Sequence, residues 1–486
     1  MSSIQSTPFD LPGLTLPLDI KLEGPFTIPM LWIRMTSMIA RRYTFTVREV
    51  TMTRIMESIT DKPNWHEKVW NSEITTRWRE EMSQNDLDIS EEMKTYIIKE
   101  LQWKAIEFQR TGLVTAYDPG VVKSDVAISI DLQQRLRDAV KPLEDVPGDE
   151  KDYHPGSDNK ILEMVHPVLR DTLIGTDDCL MSAGHGKPIE LYNLQGPQQE
   201  RRQNVNNLSP YSQKFQWLPC NINFGNDGQC RIASYINNLH PTKYRDLYNV
   251  IENILDKTIP LWNVSLARRR DIPNRISYSD VEYLLSDEPE PEQENSDDDT
   301  CRHPGRPSVS IQDKGLQVIV KLTNIELTPD KPEICATAIY YYDSENITSH
   351  SLCFRHRIHE EDIAEFVYEQ YEWTFLSVFG VVSCHQGRLL TFPNTLQHRV
   401  PHFSLCDRSK PGHRKIIALF LIDPNRSIIS TANVPPQRED WCTEWDKAVD
   451  DVLSDRLPVE LQNMRSAKTE VHNDQFHEAT YSLCEH

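Results

Sequence analysis

The sequence predicts an α+β protein with a mainly helical N-terminal half and a C-terminal double-stranded β-helix, or jelly-roll, barrel. Three observations predict it. Apolar residues of the first half recur at helical spacing. An acidic stretch then interrupts the chain, and beyond it the apolar period shortens to that of strands.

The first helix is expected over Val47–Ile59, where Val47, Val50, Met52, Ile55, Met56 and Ile59 share a stripe. A second covers Glu91–Thr111, with Ile97, Ile98, Leu101 and Ile106 facing inward. A third follows Leu239-His240-Pro241 with Leu247, Val250, Ile251, Ile254, Leu255 and Ile259, and Pro260 is expected to stop it.

Between Asp287 and Asp299 there are eight acidic residues and no basic one. Such a segment buries too little apolar surface to offset chain entropy, so Ser286 to Pro307 reads as a disordered acidic linker. Strands follow at Leu316–Leu322, Ala336–Tyr342 (closed by a turn at Asp343-Ser344-Glu345-Asn346), Phe375–Val382, Gly387–Phe392 and Lys415–Ile422. The expected division is a helical region over 1–285, the linker over 286–307, the barrel over 308–450 and a tail over 451–486.

Composition narrows the partners. The 52 basic and 73 acidic residues leave a net charge of −21, which repels phosphate backbones and anionic lipid, so neither nucleic acid nor membrane is expected. No apolar run approaches the roughly 20 residues of a membrane helix. Met1–Gly13 lacks a basic region leading into an apolar core, so a cytoplasmic location is expected. The ten cysteines form no CxxC pair and read as reduced, mostly buried residues rather than zinc ligands. Trp65, Trp70, Trp103, Trp217 and Trp262 read as core or interface packing.

One string carries chemistry. Gly387-Arg388-Leu389-Leu390-Thr391-Phe392-Pro393 is a glycine turn and an apolar strand; His398-Arg399-Val400 follows, then a polar loop, Gly412-His413-Arg414 and the strand to Phe420. Facing strands of a jelly roll hold a metal near the barrel mouth. A triad of two histidines and one carboxylate leaves positions open on Fe(II) for a 2-oxo acid and oxygen. His398 stands where a strand gives way to a loop, suited to a metal ligand. Arg414, 16 positions later, is suited to a bidentate pair with a carboxylate.

This string resembles the C-terminal motif of the iron/2-oxoglutarate dioxygenases, in which a distal histidine is followed by an arginine that anchors the co-substrate. The loop between them is longer here. Over nearly the whole chain the sequence also resembles the fungal domain-of-unknown-function 4246 family. The phrases that carry this include Phe215–Cys220, Ser234–Pro241, Tyr340–Thr348, Ile428–Gln437, Ile59–Trp65 and His154–Asp158. The resemblance implies an Fe(II)/2-oxoglutarate-dependent oxygenase acting on an unknown small molecule or protein, with His398 on iron and Arg414 on 2-oxoglutarate.

The sequence departs from that pattern at one place. Family members carry a segment like Trp-His-Val-Glu-Gly, the source of the first two metal ligands, ahead of the Tyr-Tyr-Tyr-Asp strand. Here Glu326–Thr337 contains no such segment. Other donors in the sequence are His350, His356, His359 and His385, with Glu333, Glu360, Glu361 and Asp362; the run Arg355–Asp362 reads as a solvated loop or helix start. The departure opens a second reading, a metal-free relative serving as a binding or scaffold module. A third is that the natural transcript carries the segment, which sequencing across Thr328–Thr337 tests.

Overall fold

The helical stripes of the first half pack where their spacing puts them. In the computed structural model, α1 (Val47–Thr60), α2 (Trp65–Lys68), α3 (Ser72–Gln84) and α4 (Glu91–Thr111) enclose one apolar cluster built on Met52, Met56, Trp65, Trp78, Ile97 and Leu101. The structure describes residues 47–84, 89–118, 120–147, 151–153, 161–167, 217–267, 310–312, 315–323, 334–357, 376–394, 396–401, 404–422, 424 and 430–432. The acidic linker and the tail lie outside these.

α4 starts on Ser90, whose Oγ accepts from the Met93 N–H at 3.3 Å, and ends on Gly112 at φ 71°. Ile106 is 50% exposed rather than inward, because the helix is covered on one side only. Of the tryptophans read as packing residues, Trp65, Trp217 and Trp262 are buried, while Trp70 is 52% exposed.

β1 (Val114–Tyr117), β2 (Val121–Ser124) and α5 (Ile130–Glu144) follow, then β3 (Glu163–Val165), β4 (Cys220–Phe224), β5 (Cys230–Ile232) and α6 (Arg245–Ser265). The C-terminal half adds β6 (Leu316–Thr323), β7 (Ile334–Glu345), β8 (His350–Arg357), β9 (Leu376–Cys384), β10 (Leu389–Pro393), β11 (Leu396–Arg399) and β12 (His413–Ile422).

These strands form two antiparallel sheets. The large one runs β1-β2-β10-β7-β12-β6-β4-β5, with β3 also on β6; the small one runs β11-β8-β9. The large sheet thus takes strands from both sides of the acidic stretch. One face of it packs on α5 and α6 through Val320, Leu322, Tyr340, Leu419, Ile254 and Trp262. The other packs on the small sheet through Tyr117, Ile339, Tyr341, Leu352, Phe354, Phe392 and Ile416. The described strands do not close into a barrel.

Three local expectations change. Pro260 lies inside α6 rather than ending it. An internal proline costs about 3 kcal/mol. The next turn buries Leu261 and Trp262 completely, roughly 1.5–3 kcal/mol each, which offsets that cost. β7 continues to Glu345, so the turn comes later, at Asn346 (φ 52°), because pairing with β12 extends to His413↔Glu345. The basic run Arg355–Arg357 is the end of β8, paired to Leu396–Gln397 and to Leu376–Val378; cross-strand hydrogen bonding overrides its charge density.

β9 approaches β1 closely at Gly380. A Cβ there would lie 2.7 Å from three ring atoms of Tyr117, whose hydroxyl donates to the Val381 carbonyl at 3.1 Å. Gly380→Ala is therefore expected to cost about 1–3 kcal/mol by overpacking, read as a lower urea midpoint with an unchanged m-value.

Candidate functional site: a pocket between the sheets

β11 and β12 bring His398 and Arg414 to the same pocket, with Ile339 and Tyr341 from β7, Leu352 from β8, and Val400 and Ile416. Arg414 points into the sandwich while Lys415 points out to Glu144 of α5 at 2.9 Å, the alternation a strand imposes. A bulge sharpens this. Lys415 pairs with Asp343 and Ile416 with Tyr341, so Tyr342 is the extra residue on β7. About 250 Å3 of empty space lies among these residues, part of it open to solvent.

His398 is 9% exposed, and its ring lies 4.7 Å from that of Phe392. Neither ring nitrogen finds a hydrogen-bond partner among the described residues. Burial depresses its pKa to about 4, so the imidazole is neutral at pH 7 and its lone pair is available. Leaving a buried polar group unsatisfied costs about 1–3 kcal/mol, which is the reason to look for a ligand here.

Arg414 is 2% exposed and is the charged group of an otherwise apolar lining. Beside it the Tyr341 hydroxyl is hydrogen-bonded to the Cys384 thiol; burial, and then Cys384, push the tyrosine pKa well up. Burial raises the Cys384 thiol to about 11, so it is no nucleophile at neutral pH. His350, opposite Cys384 in the β8–β9 pair, stacks edge-on against Tyr341 at 5.5 Å, and burial, then the Arg414 charge, lower its pKa to about 4.

Behind this group stands a set of buried charges that sequence reasoning missed. Arg388, just before β10, is fully buried and donates twice to Asp125 at 2.7 Å, to Asp61 at 2.9 Å and to the Ser383 carbonyl at 2.7 Å. Lys123 of β2 binds Glu57 at 2.7 Å and Asp61 at 2.6 Å. Burial alone would raise the Asp61 carboxyl, but Lys123 and Arg388 outweigh it and hold it below its ordinary value. The partners are 66 and 263 residues apart in sequence, so no local pattern announces them.

A model of a protein family of unknown function, DUF4246, matches residues 91–445, and a model of the family's N-terminal domain matches residues 11–81. The chain belongs to the DUF4246 family. No curated protein matches it. Among solved structures, IDO from Bacillus thuringiensis is 8% identical, with 66% of this chain and 93% of that one covered at a TM-score of 0.29. A selenomethionine-labelled Fe(II)/α-ketoglutarate-dependent dioxygenase, TqaL, is 11% identical, with 64% and 96% covered at a TM-score of 0.23. Both likenesses are distant.

An iron facial triad takes two imidazoles and a carboxylate. Of the other sequence candidates, His385 is 49% exposed beside Asp125, and His350 lies against Tyr341. His359, Glu333, Glu360, Glu361 and Asp362 lie outside the described residues, as does the side chain of His356. No three His, Cys, Asp or Glu side chains gather as a metal site among the described residues. Among the described residues the pocket therefore offers a guanidinium suited to a carboxylate and one imidazole, fewer donors than an iron facial triad takes.

Proposed function

We propose that the two sheets of this DUF4246 protein are the halves of a jelly roll of the iron/2-oxoglutarate oxygenase type, and that its pocket binds a small dicarboxylate of the 2-oxoglutarate class without turning it over. Strand order supports the architecture. The chain alternates from β7 in the large sheet to β8 and β9 in the small one, back to β10, across to β11 and back to β12, as a double-stranded β-helix does. The observation that carries the function is Arg414, a buried guanidinium facing an apolar pocket from the strand after His398. A planar fork in low dielectric selects a carboxylate. The binding reading is preferred to oxygenation because, among the described residues, the lining supplies one imidazole where iron needs three donors.

Isothermal titration of the full-length protein with 2-oxoglutarate is expected to give one site, and Arg414→Met is expected to weaken it at least tenfold. Heat indistinguishable from buffer, or equal affinity in both proteins, overturns the reading.

One observation favours the oxygenase instead: the two unsatisfied nitrogens of His398 are what a ligand lacking its ion would show. Stoichiometric Fe(II) uptake under anaerobic conditions, with succinate formed on admitting oxygen, would establish that second reading.

A further inference from the structure

We infer that Arg388 is a positioning residue for the pocket, and that Asp61, just past the end of helix α1, sets it, so that the N-terminal helices tune ligand affinity from outside the two sheets. The inference rests on the dicarboxylate reading of the Arg414 pocket. Arg388 does not line that pocket. Its main chain nevertheless holds the strand that does: the Tyr341 N–H donates to the Arg388 carbonyl at 3.2 Å, and the Gly387 N–H donates to the Tyr341 carbonyl at 2.8 Å. Gly387 turns at φ 90°, a conformation other residues rarely adopt, which is how β10 can begin so close to β9.

The Arg388 side chain holds the neighbouring strand β9. Its Nη1 donates to the carbonyl of Ser383, the neighbour of Cys384, and Cys384 is hydrogen-bonded to the Tyr341 hydroxyl. Both partners in that bond are thus fixed through one arginine. Tyr341 lines the pocket directly, beside Arg414.

The arginine is itself oriented from outside the sandwich. Asp125, in the loop between β2 and α5, takes its Nε and Nη2; Asp61, just past the end of α1, takes Nη2 at 2.9 Å and shares its carboxylate with Lys123. Neutralising Asp61 leaves Arg388 with Asp125 and leaves Lys123 with Glu57, so the fold retains its buried pairs while the arginine loses one of three directions of pull. A guanidinium bound on fewer sides has more freedom, and Tyr341 and Cys384 inherit it.

The test measures 2-oxoglutarate affinity and amide exchange in full-length wild type, Asp61→Asn, Asp61→Glu and Met56→Ala. Met56→Ala opens a cavity in the same helix, away from Arg388, and so reports on destabilisation alone. Asp61→Asn is expected to weaken binding about tenfold and to speed exchange at the Tyr341 amide. Asp61→Glu should recover most of both, and Met56→Ala should lower the Tm without moving the Kd. Equal loss of affinity in Asp61→Asn and Met56→Ala, or unchanged exchange at Tyr341 in Asp61→Asn, overturns the inference. If wild type binds no 2-oxoglutarate, the dicarboxylate reading falls, and the exchange at Tyr341 still decides whether Asp61 acts through Arg388.

Discussion

Arg388→Met is expected to lower the unfolding free energy by about 3 kcal/mol, the largest loss expected of any single substitution in the ionic set. The arginine has no exposed surface and closes bonds to β9, to the loop before α5 and to the end of α1. Removing it leaves Asp61 and Asp125 facing each other with no cation between them except Lys123. The loss falls at the lower end of the range for broken buried pairs because these two carboxylates keep 27% and 39% of their side-chain surface in water and can rehydrate. Adding Asp125→Asn to Arg388→Met should restore part of the stability, because the orphaned charge is then gone. Urea unfolding of the three proteins checks this. A loss under about 1 kcal/mol in the single variant would mean that the network contributes little more than a surface pair does.

Acid is expected to destabilise the protein well before its carboxylates titrate. His398 and His350 are both neutral in the fold, with pKa values pushed down to about 4 from 6.5. The unfolded chain therefore binds protons that the folded one refuses, and stability falls as pH drops from about 6.5 toward 4. For His398 alone the loss at pH 4.5 is about 2 kcal/mol relative to pH 7. The Asp61 and Asp125 carboxylates act in a lower window: with depressed folded values, their contribution is present above about 3.8 and is lost below it. His398→Leu should remove its own share of the upper step and leave that of His350, giving a protein about 2 kcal/mol more stable than wild type at pH 4.5 after any difference at pH 7 is subtracted. Urea midpoints across pH 4.5–7 test it, and a wild-type profile flat over that range would show that the imidazole is hydrated. Fe(II) added at pH 7 serves as a second readout, because an ion held by His398 raises the Tm of wild type and not that of His398→Leu.

Much of this was legible from local pattern. α4 runs over Glu91–Thr111, the limits its apolar spacing indicated, because one-sided burial is a property of neighbouring residues. The strands at Leu316–Thr323 and His413–Ile422 were legible for the same reason: each is a mostly apolar run that is buried along nearly its whole length. β8 was not. Its run of arginine and histidine resembles a solvated loop, and it is a strand because β11 and β9 supply hydrogen bonds on both sides. The short strands β1 to β5 were equally hidden, at three to five residues each, since pairing with distant strands makes them what they are.

The pocket divides in the same way. Composition and spacing determined that the chain is acidic, that three helical stripes precede a set of strands, and that His398 and Arg414 stand sixteen positions apart on either side of a polar loop. Whether those two residues meet was decided by the sheets, since β11 and β12 belong to different ones and converge only because Phe354, Phe392 and Ile416 pack between them. The bulge at Tyr342 and the three-way hold on Arg388 are likewise tertiary. A buried arginine reads like a surface one in sequence. Only the folded chain shows that its carboxylates come from a helix and a loop more than 260 residues upstream, where desolvation makes their charge count.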